Sequence, residues 1–127
     1  MNNDSTTKIL TCIICPNSCR ISLTYDPDTQ EITSIHGALC KKGKDWVEQE
    51  LFKPMRTLCS SIRITGGREP LASIRTTKAV SLSSIKELME LIKASSIKAP
   101  VEIGQVVLSE PLGLDCDVII TRGVDRL

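Results

Sequence analysis

The chain has 127 residues, and its 16 basic and 15 acidic side chains balance so closely that nothing points to nucleic acid or to an anionic membrane as a partner. Tyr25, Trp46 and Phe52 are the only aromatic residues, which predicts an aliphatic core and argues against stacking on single-stranded nucleic acid. No apolar run could span a bilayer and the polar N-terminus resembles no signal peptide, so we expect a cytoplasmic protein.

The first third of the chain is predicted to form a β-hairpin that follows a cysteine-rich loop. A short strand over Lys8–Thr11 leads into a loop over Cys12–Cys19, where Pro-Asn-Ser is typical of turns. Arg20–Tyr25 alternates polar and apolar residues, which favours a half-buried strand. A turn then leads to a weaker strand over Glu31–Ile35, whose isoleucines are out of strict alternation. Lys44–Phe52 has helical spacing, and Pro54 would stop that helix.

The rest of the chain is predicted to be a small sheet with one helix. Strands over Thr57–Thr65 and Leu71–Thr76 flank a turn at Gly66-Gly67. Ser84 and Glu87 have the spacing of a capping box, and the helix that follows carries an apolar stripe. That stripe consists of Ile85, Leu88, Met89 and Ile92.

Further strands are predicted over Pro100–Val107 and Asp117–Thr121, the second apolar enough to be interior. The expected fold class is therefore α+β, with an N-terminal cysteine-ligated metal module carrying the hairpin, followed by a small sheet with one or two packed helices. We place the metal module at residues 1–53 and the small α+β domain at 54–127.

Four cysteines in the first third have the spacing C-x2-C-x3-C-x20-C. They are Cys12, Cys15, Cys19 and Cys40. The hairpin would return the chain so that the fourth sulfur meets the first three. Zinc sites most often use two C-x2-C pairs, whereas three close cysteines and one remote cysteine favour a [4Fe–4S] cluster. A cluster is our leading interpretation, with Zn²⁺ as the alternative and a metal-free dithiol at Cys12 and Cys15 as a third.

Several residues near this pattern have two interpretations. Lys41, Lys42 and Lys44 are either a solvated charge run or cations that approach an anionic cluster and a partner's acidic rim. Gly43 would let the backbone come close to inorganic sulfide. His36, the only histidine, is expected to be solvated rather than a ligand. Cys59 and Cys116 lie outside the pattern and are expected to be buried as small apolar side chains.

The cysteine segment resembles the N-terminal cluster-binding segment of molybdopterin oxidoreductases. The four cysteines match in order, and Lys42-Gly43 matches a Lys-Gly pair that follows the fourth cysteine in that family. The resemblance implies a [4Fe–4S] cluster, with Lys42 in the position that lies between cluster and pterin in those enzymes. The chain lacks the several hundred residues that build their pterin site, so the resemblance does not extend to molybdenum catalysis.

Nearly the whole chain is similar to a bacterial and archaeal family called CxxC-motif-containing proteins. The matching segments include TCIICPNSCR, LCKKG, PMRTL, GGREPLASIR, KAPVEIGQVV and DVIITR. Members are typically encoded beside FAD-dependent oxidoreductases, which implies such an enzyme as the partner. We see no catalytic constellation in the sequence. The expected function is therefore an accessory, non-catalytic electron-transfer subunit, with a zinc-stapled interaction module as the alternative.

Overall fold

The computed structural model describes residues 5–127 of a mixed α+β chain with small sheets and two helices. The chain divides into an N-terminal unit that ends at Pro54 and a C-terminal unit that runs from Met55 to Leu127. Neither helix has the combination of length and apolar composition that crossing a bilayer requires, a finding that applies to residues 5–127.

The N-terminal unit begins with a three-stranded antiparallel sheet in the order β1-β2-β3. Its strands are β1 (Thr6–Thr11), β2 (Arg20–Asp26) and β3 (Glu31–His36), which confirms the predicted hairpin and the strand before it. Ile21 and Leu23 have no exposed surface, as the alternation in β2 predicts.

A β-bulge explains why the isoleucines of β3 are not in strict alternation. Ile35 lies opposite Leu23, whereas Ile32 lies opposite Tyr25, so the register shifts between these two pairs. Thr33 is the extra residue, and its hydroxyl donates a hydrogen bond of 3.0 Å to the carbonyl of Thr24. The inserted residue brings both isoleucines to the face that packs on the core.

Helix α1 (Lys41–Phe52) packs on this sheet through Val47, which is fully buried. It ends before Pro54 as predicted, but it begins at Lys41, three residues earlier than the predicted start at Lys44. The predicted start was wrong because the lysines and the glycine have no apolar periodicity, although they are compatible with a helical first turn. At its other end, Phe52 packs edge-to-face on Tyr25, with ring centroids 5.7 Å apart.

The C-terminal unit contains a five-stranded sheet in the order β8-β5-β6-β10-β9 and a two-stranded β4-β7 ladder. Only the β5-β8 pair is parallel. The strands are β4 (Met55–Arg56), β5 (Cys59–Thr65), β6 (Leu71–Thr76), β7 (Val80–Ser81), β8 (Ser96–Lys98), β9 (Val106–Ser109) and β10 (Asp117–Ile120). The predicted hairpin of β5 and β6 and the interior strand β10 are confirmed.

Helix α2 (Ile85–Ala94) carries the predicted apolar stripe into the core of the C-terminal unit. Leu88 and Ile92 are buried, and they belong to one apolar cluster with residues of the sheet. The sheet contributes alternate residues of its central strands. These include Ile62, Ile64, Ala72, Ile74, Val118 and Ile120.

Two local predictions in the C-terminal unit were wrong. Ser84 ends a 3-10 turn, has helical backbone angles and makes no side-chain capping bond, so no capping box forms. The predicted strand over Pro100–Val107 is instead an isolated bridge at Val101, a turn and then β9 from Val106. The connection of β5 to β6 spans residues 66–70, between the predicted strand ends at Thr65 and Leu71.

Candidate metal centre

The ladder between β1 and β2 positions two of the four cysteines. Thr11 and Arg20 are the last facing pair of this ladder, so Cys12 and Cys19 leave adjacent strand ends. The Cys12 amide donates a hydrogen bond of 2.8 Å to the Cys19 carbonyl, which closes the loop at its base. Cys12 is buried and Cys19 is half-buried.

Cys15 lies in the loop that this hydrogen bond closes, and its side chain is exposed. The Ser18 amide points back to the Cys15 carbonyl at 3.5 Å, and Ser18 has a left-handed backbone with a φ of 51°. The Pro-Asn-Ser turn therefore folds the chain back on itself, and Cys12, Cys15 and Cys19 face the same cavity.

Cys40 returns to this end of the unit because β3 runs back beside β2. Gly37 makes the return possible: its φ is 95°, and a Cβ there would collide with the Arg20 carbonyl oxygen. Cys40 is the N-cap residue of α1, with an extended backbone and an exposed side chain.

All four cysteines line one cavity of about 230 Å³ in the N-terminal unit. Lys42 and Gly43, the predicted cofactor-binding residues, line the same cavity. The hairpin thus accounts for the 20-residue gap in the cysteine pattern, because it brings Cys40 beside three residues that are close in sequence.

Gly43 occupies the first turn of α1 and is buried between two of the cysteines. A Cβ on Gly43 would lie 3.6 Å from Cys12 Sγ, 3.6 Å from Ile21 Cδ1 and 4.0 Å from Cys40 Sγ. These are ordinary van der Waals distances, and Gly43 does not have a left-handed backbone. Neither a clash nor the backbone therefore requires glycine, although glycine costs about 1 kcal/mol relative to alanine in a helix interior. What glycine provides is free space between Cys12 and Cys40.

The four cysteines share a cavity but do not form a ready-made site for one metal ion. Within residues 5–127, no three His, Cys, Asp or Glu side chains are arranged so that they could hold one metal ion. A tetrahedral zinc site with Zn–S bonds of about 2.3 Å would bring its sulfurs within about 4 Å of one another. The four side chains would therefore have to come together on a zinc ion for it to bind in this way.

The cavity lies at the positive end of the α1 dipole. Lys41, Lys42 and Lys44 are exposed in or beside the first turn of the helix, which contains no acidic residue. Cations at a helix N-terminus are unfavourable by roughly 0.3–1 kcal/mol each, because the free amides there carry partial positive charge. The three lysines and the helix dipole therefore both make the electrostatic potential at this end of the unit positive.

Sequence reasoning missed the apolar rim of the cavity. Ile14 and Leu39 line it, and they are 48% and 79% exposed, while the neighbouring Ile13 is 70% exposed. An Ile-Ile pair inside a short turn-rich loop was the available signal, because such a loop has no core into which both side chains could be buried.

The other candidate residues lie elsewhere. His36 is exposed at the end of β3, as expected. Cys59 is exposed in β5, so the prediction that it is buried was wrong, whereas Cys116 is buried as predicted. Burial raises the pKa of the Cys116 thiol, and the carboxylates of Asp117 and Asp115 add to the increase.

Comparison with known proteins identifies the family. The chain resembles a Clostridium perfringens structural genomics protein solved by NMR, with a TM-score of 0.54 and 16% identity over 57% of this chain and 87% of that one. At that identity the likeness concerns the fold alone. A search of curated proteins gives no match. A family described as a protein of unknown function, DUF1667, matches residues 41–122, beginning directly after Cys40. The chain therefore belongs to the DUF1667 family.

Proposed function

We propose that this protein is an accessory iron–sulfur electron-transfer protein that works with an FAD-dependent oxidoreductase. A [4Fe–4S] cluster would be held by Cys12, Cys15, Cys19 and Cys40 and would take up and release single electrons. The N-terminal unit would be the metal module, and the chain itself would carry out no catalysis.

The observation that carries the proposal is the shared cavity of the four cysteines. Its volume of about 230 Å³ is many times the roughly 10–15 Å³ that a cavity needs to hold one water molecule, so it offers more room than a single ion needs. Gly43 adds to this room, because an alanine methyl group would project between Cys12 and Cys40. Four cysteines around a cavity of this size suit a cluster, whose four irons each take one thiolate.

The charges around the cavity support an anionic occupant. Cations at the start of α1 would be costly beside the helix dipole, and a negatively charged group in the cavity would offset that cost. Lys42 lines the cavity and would be the nearest of the three lysines. A cation so placed favours the more reduced, more negative state of the group it faces, so Lys42 would raise its reduction potential.

The oxidoreductase partner is proposed from the resemblance to CxxC-motif-containing proteins, whose members are typically encoded beside such enzymes. A flavin can take up an electron pair from a substrate and release the two electrons singly, so a one-electron carrier could receive them from it. A chain with a cluster and no catalytic residues would suit that role.

The test is iron, sulfide and zinc analysis on protein purified under strictly anaerobic conditions, with a visible spectrum and EPR. We expect about four irons and four sulfides per chain, broad visible absorbance and an EPR signal that appears on reduction. Cys40→Ala should lose the cluster, whereas the matched control Cys59→Ala should keep it, because Cys59 lies in β5 of the C-terminal unit. One zinc per chain and no sulfide would instead favour the zinc-stapled module.

A further inference from the structure

Cys40 borders two depressions of the N-terminal unit. One is the cysteine cavity described above. The other is an open depression of about 310 Å³ lined by Ala38, Leu39, Cys40, Lys41 and Lys44. We call the second one the outer depression. Leu39 and Cys40 line both, so the two depressions are adjacent and a group bound in the outer depression would lie beside the cysteine cavity.

The three lysines at the start of α1 divide between these depressions. Lys42 lines the cysteine cavity, whereas Lys41 and Lys44 line the outer depression. Lys41 and Lys44 are three residues apart on the helix, so they lie on the same face and both can reach one anionic group. Asp45 is the acidic residue next in the chain, and it does not line the outer depression.

Leu39 gives the outer depression an apolar element. It is 79% exposed, and Ile13 at 70% exposure belongs to the same cysteine-bearing end of the unit. Exposed aliphatic side chains beside lysines are typical of a docking face, in which an apolar centre supplies affinity and charges set orientation. A small anion would leave Leu39 uncovered, so the combination favours a protein surface.

Charge is distributed unequally along the hairpin of β2 and β3. Arg20 and the lysines of α1 lie at the cysteine end, while Asp26, Asp28 and Glu31 lie at the turn end. The dipole of α1 adds to this difference in charge. Its positive N-terminus lies at the cysteine end, whereas Phe52 at its negative C-terminus packs on Tyr25 at the turn end. An acidic partner would therefore be steered towards the cysteine end.

We infer that the outer depression is the docking site for the acidic rim of a redox partner protein, and that electrons pass between partner and metal centre beside Cys40. This inference rests on the proposed function, because it assigns a role to the proposed centre. Carboxylates of the partner would pair with Lys41 and Lys44, and an apolar side chain would cover Leu39. Lys42 would remain with the centre.

Stopped-flow kinetics on the full, cluster-loaded chain would test the inference. The reduced protein is mixed with less than one equivalent of ferricyanide, an anionic oxidant that takes one electron and becomes ferrocyanide without any bond being made or broken. We expect a fast reaction that slows as salt is added. The double variant Lys41→Glu/Lys44→Glu should react about tenfold more slowly, within the range of electrostatic effects on association rates.

The matched control is Lys8→Glu/Lys53→Glu, which makes the same change in net charge on exposed residues of the same unit that do not line the outer depression. It should keep most of the rate. A capped hexaglutamate peptide should compete with ferricyanide in the parent protein and in this control, but not in Lys41→Glu/Lys44→Glu. Glutamates in the first turn favour the helix, so the test variant should fold.

The possible outcomes separate the inference from the proposed function. Normal cluster absorbance with equal rates in the two double variants, or no competition by hexaglutamate in the parent protein, would overturn the inference alone. Absence of iron–sulfur absorbance in the parent protein would overturn the proposed function, and the inference with it. The spectra of all variants are recorded first, so that a slower rate is interpreted only where the centre is intact.

Discussion

The two units of this chain differ in what surrounds their buried side chains. In the C-terminal unit, 13 buried residues form one apolar cluster between α2 and a five-stranded sheet. In the N-terminal unit, the corresponding buried cluster has four members, Cys12, Ile21, Leu23 and Val47. One of those four is a cysteine of the cavity, and Ile21 also lines it. The small core and the candidate site are therefore built from the same residues.

The difference between the two buried clusters indicates in which unit stability and function are coupled. The C-terminal unit has an apolar cluster that includes no residue of the cysteine cavity, so its packing can change without touching the site. In the N-terminal unit, displacement of Ile21 or Cys12 alters the core and the cavity at once. A metal group bound to the four cysteines would increase the free energy of unfolding of the N-terminal unit, which has the smaller core, as structural metals do in small domains.

The largest effect is expected for a matched pair of leucine substitutions, one in each unit, which would test this comparison. Leu23 and Leu88 are both fully buried, one in each unit. Replacement of either by alanine should lower the free energy of unfolding of its own unit by about 2–5 kcal/mol, because a buried side chain is lost and a cavity remains. Hydrogen exchange measured by mass spectrometry would report each unit separately.

The two leucine variants should differ in iron content. Leu23→Ala should lose iron and sulfide together with its fold, since Leu23 packs with Cys12. Leu88→Ala should retain the visible spectrum of the parent protein. If both variants kept, or both lost, their iron to the same extent, the proposed coupling between core and site in the N-terminal unit would be wrong.

Side-chain periodicity predicted most of the strands and both helices because local alternation determines which face is buried. Ile21 and Leu23 in β2, and Leu88 and Ile92 in α2, are buried as their spacing predicts. The bulge at Thr33 was visible only as a broken alternation, since a bulge is defined by pairing with the neighbouring strand.

What the sequence did not reveal depended on pairing between distant segments or on the backbone of a preceding turn. Strand β8 has three residues and follows α2 directly, and its parallel pairing with β5 joins segments about 30 residues apart. Ser84 has the sequence of a capping residue, but the 3-10 turn before it already gives it a helical backbone. Cysteine spacing predicted a common site for the four thiols, whereas the apolar rim at Leu39 and the outer depression required the folded chain.

Gly43→Ala is expected to have a smaller effect, which is favourable for the stability of the iron-free protein and unfavourable for its content of iron and sulfide. The added methyl group meets its neighbours at 3.6–4.0 Å, so the iron-free protein should be as stable as the parent or more stable by up to about 1 kcal/mol. The same methyl group would occupy space between Cys12 and Cys40, so the content of iron and sulfide should fall. Chemical denaturation and iron analysis would measure the two effects.

The control for Gly43→Ala is Gln49→Ala, which introduces alanine at an exposed position of the same helix that does not line the cavity. It should retain the iron content of the parent. Full retention of iron and sulfide in Gly43→Ala would mean that the space beside Gly43 is not needed by the metal centre.

The smallest effect concerns thiol reactivity and leaves stability unchanged. The thiolate is the reactive form, and burial together with Asp117 and Asp115 raises the pKa of Cys116, so Cys116 holds less thiolate at neutral pH than an unperturbed cysteine. Its labelling by iodoacetamide should therefore lag well behind that of the exposed Cys59 and should become appreciable only at more alkaline pH. Mass spectrometry of labelled peptides would follow each cysteine.

The same labelling experiment compares the cysteines of the two units. In iron-loaded protein, the four cysteines of the cavity should be protected, and removal of iron by a chelator should expose them to iodoacetamide. Cys59 and Cys116 should keep their rates, because neither lines the cavity. Unchanged labelling of the four cysteines after chelation would show that they hold no iron, and Cys116 labelled as fast as Cys59 would contradict the effect of its buried environment. The reactivity of each cysteine would thus depend on a metal in the N-terminal unit and on burial in the C-terminal unit.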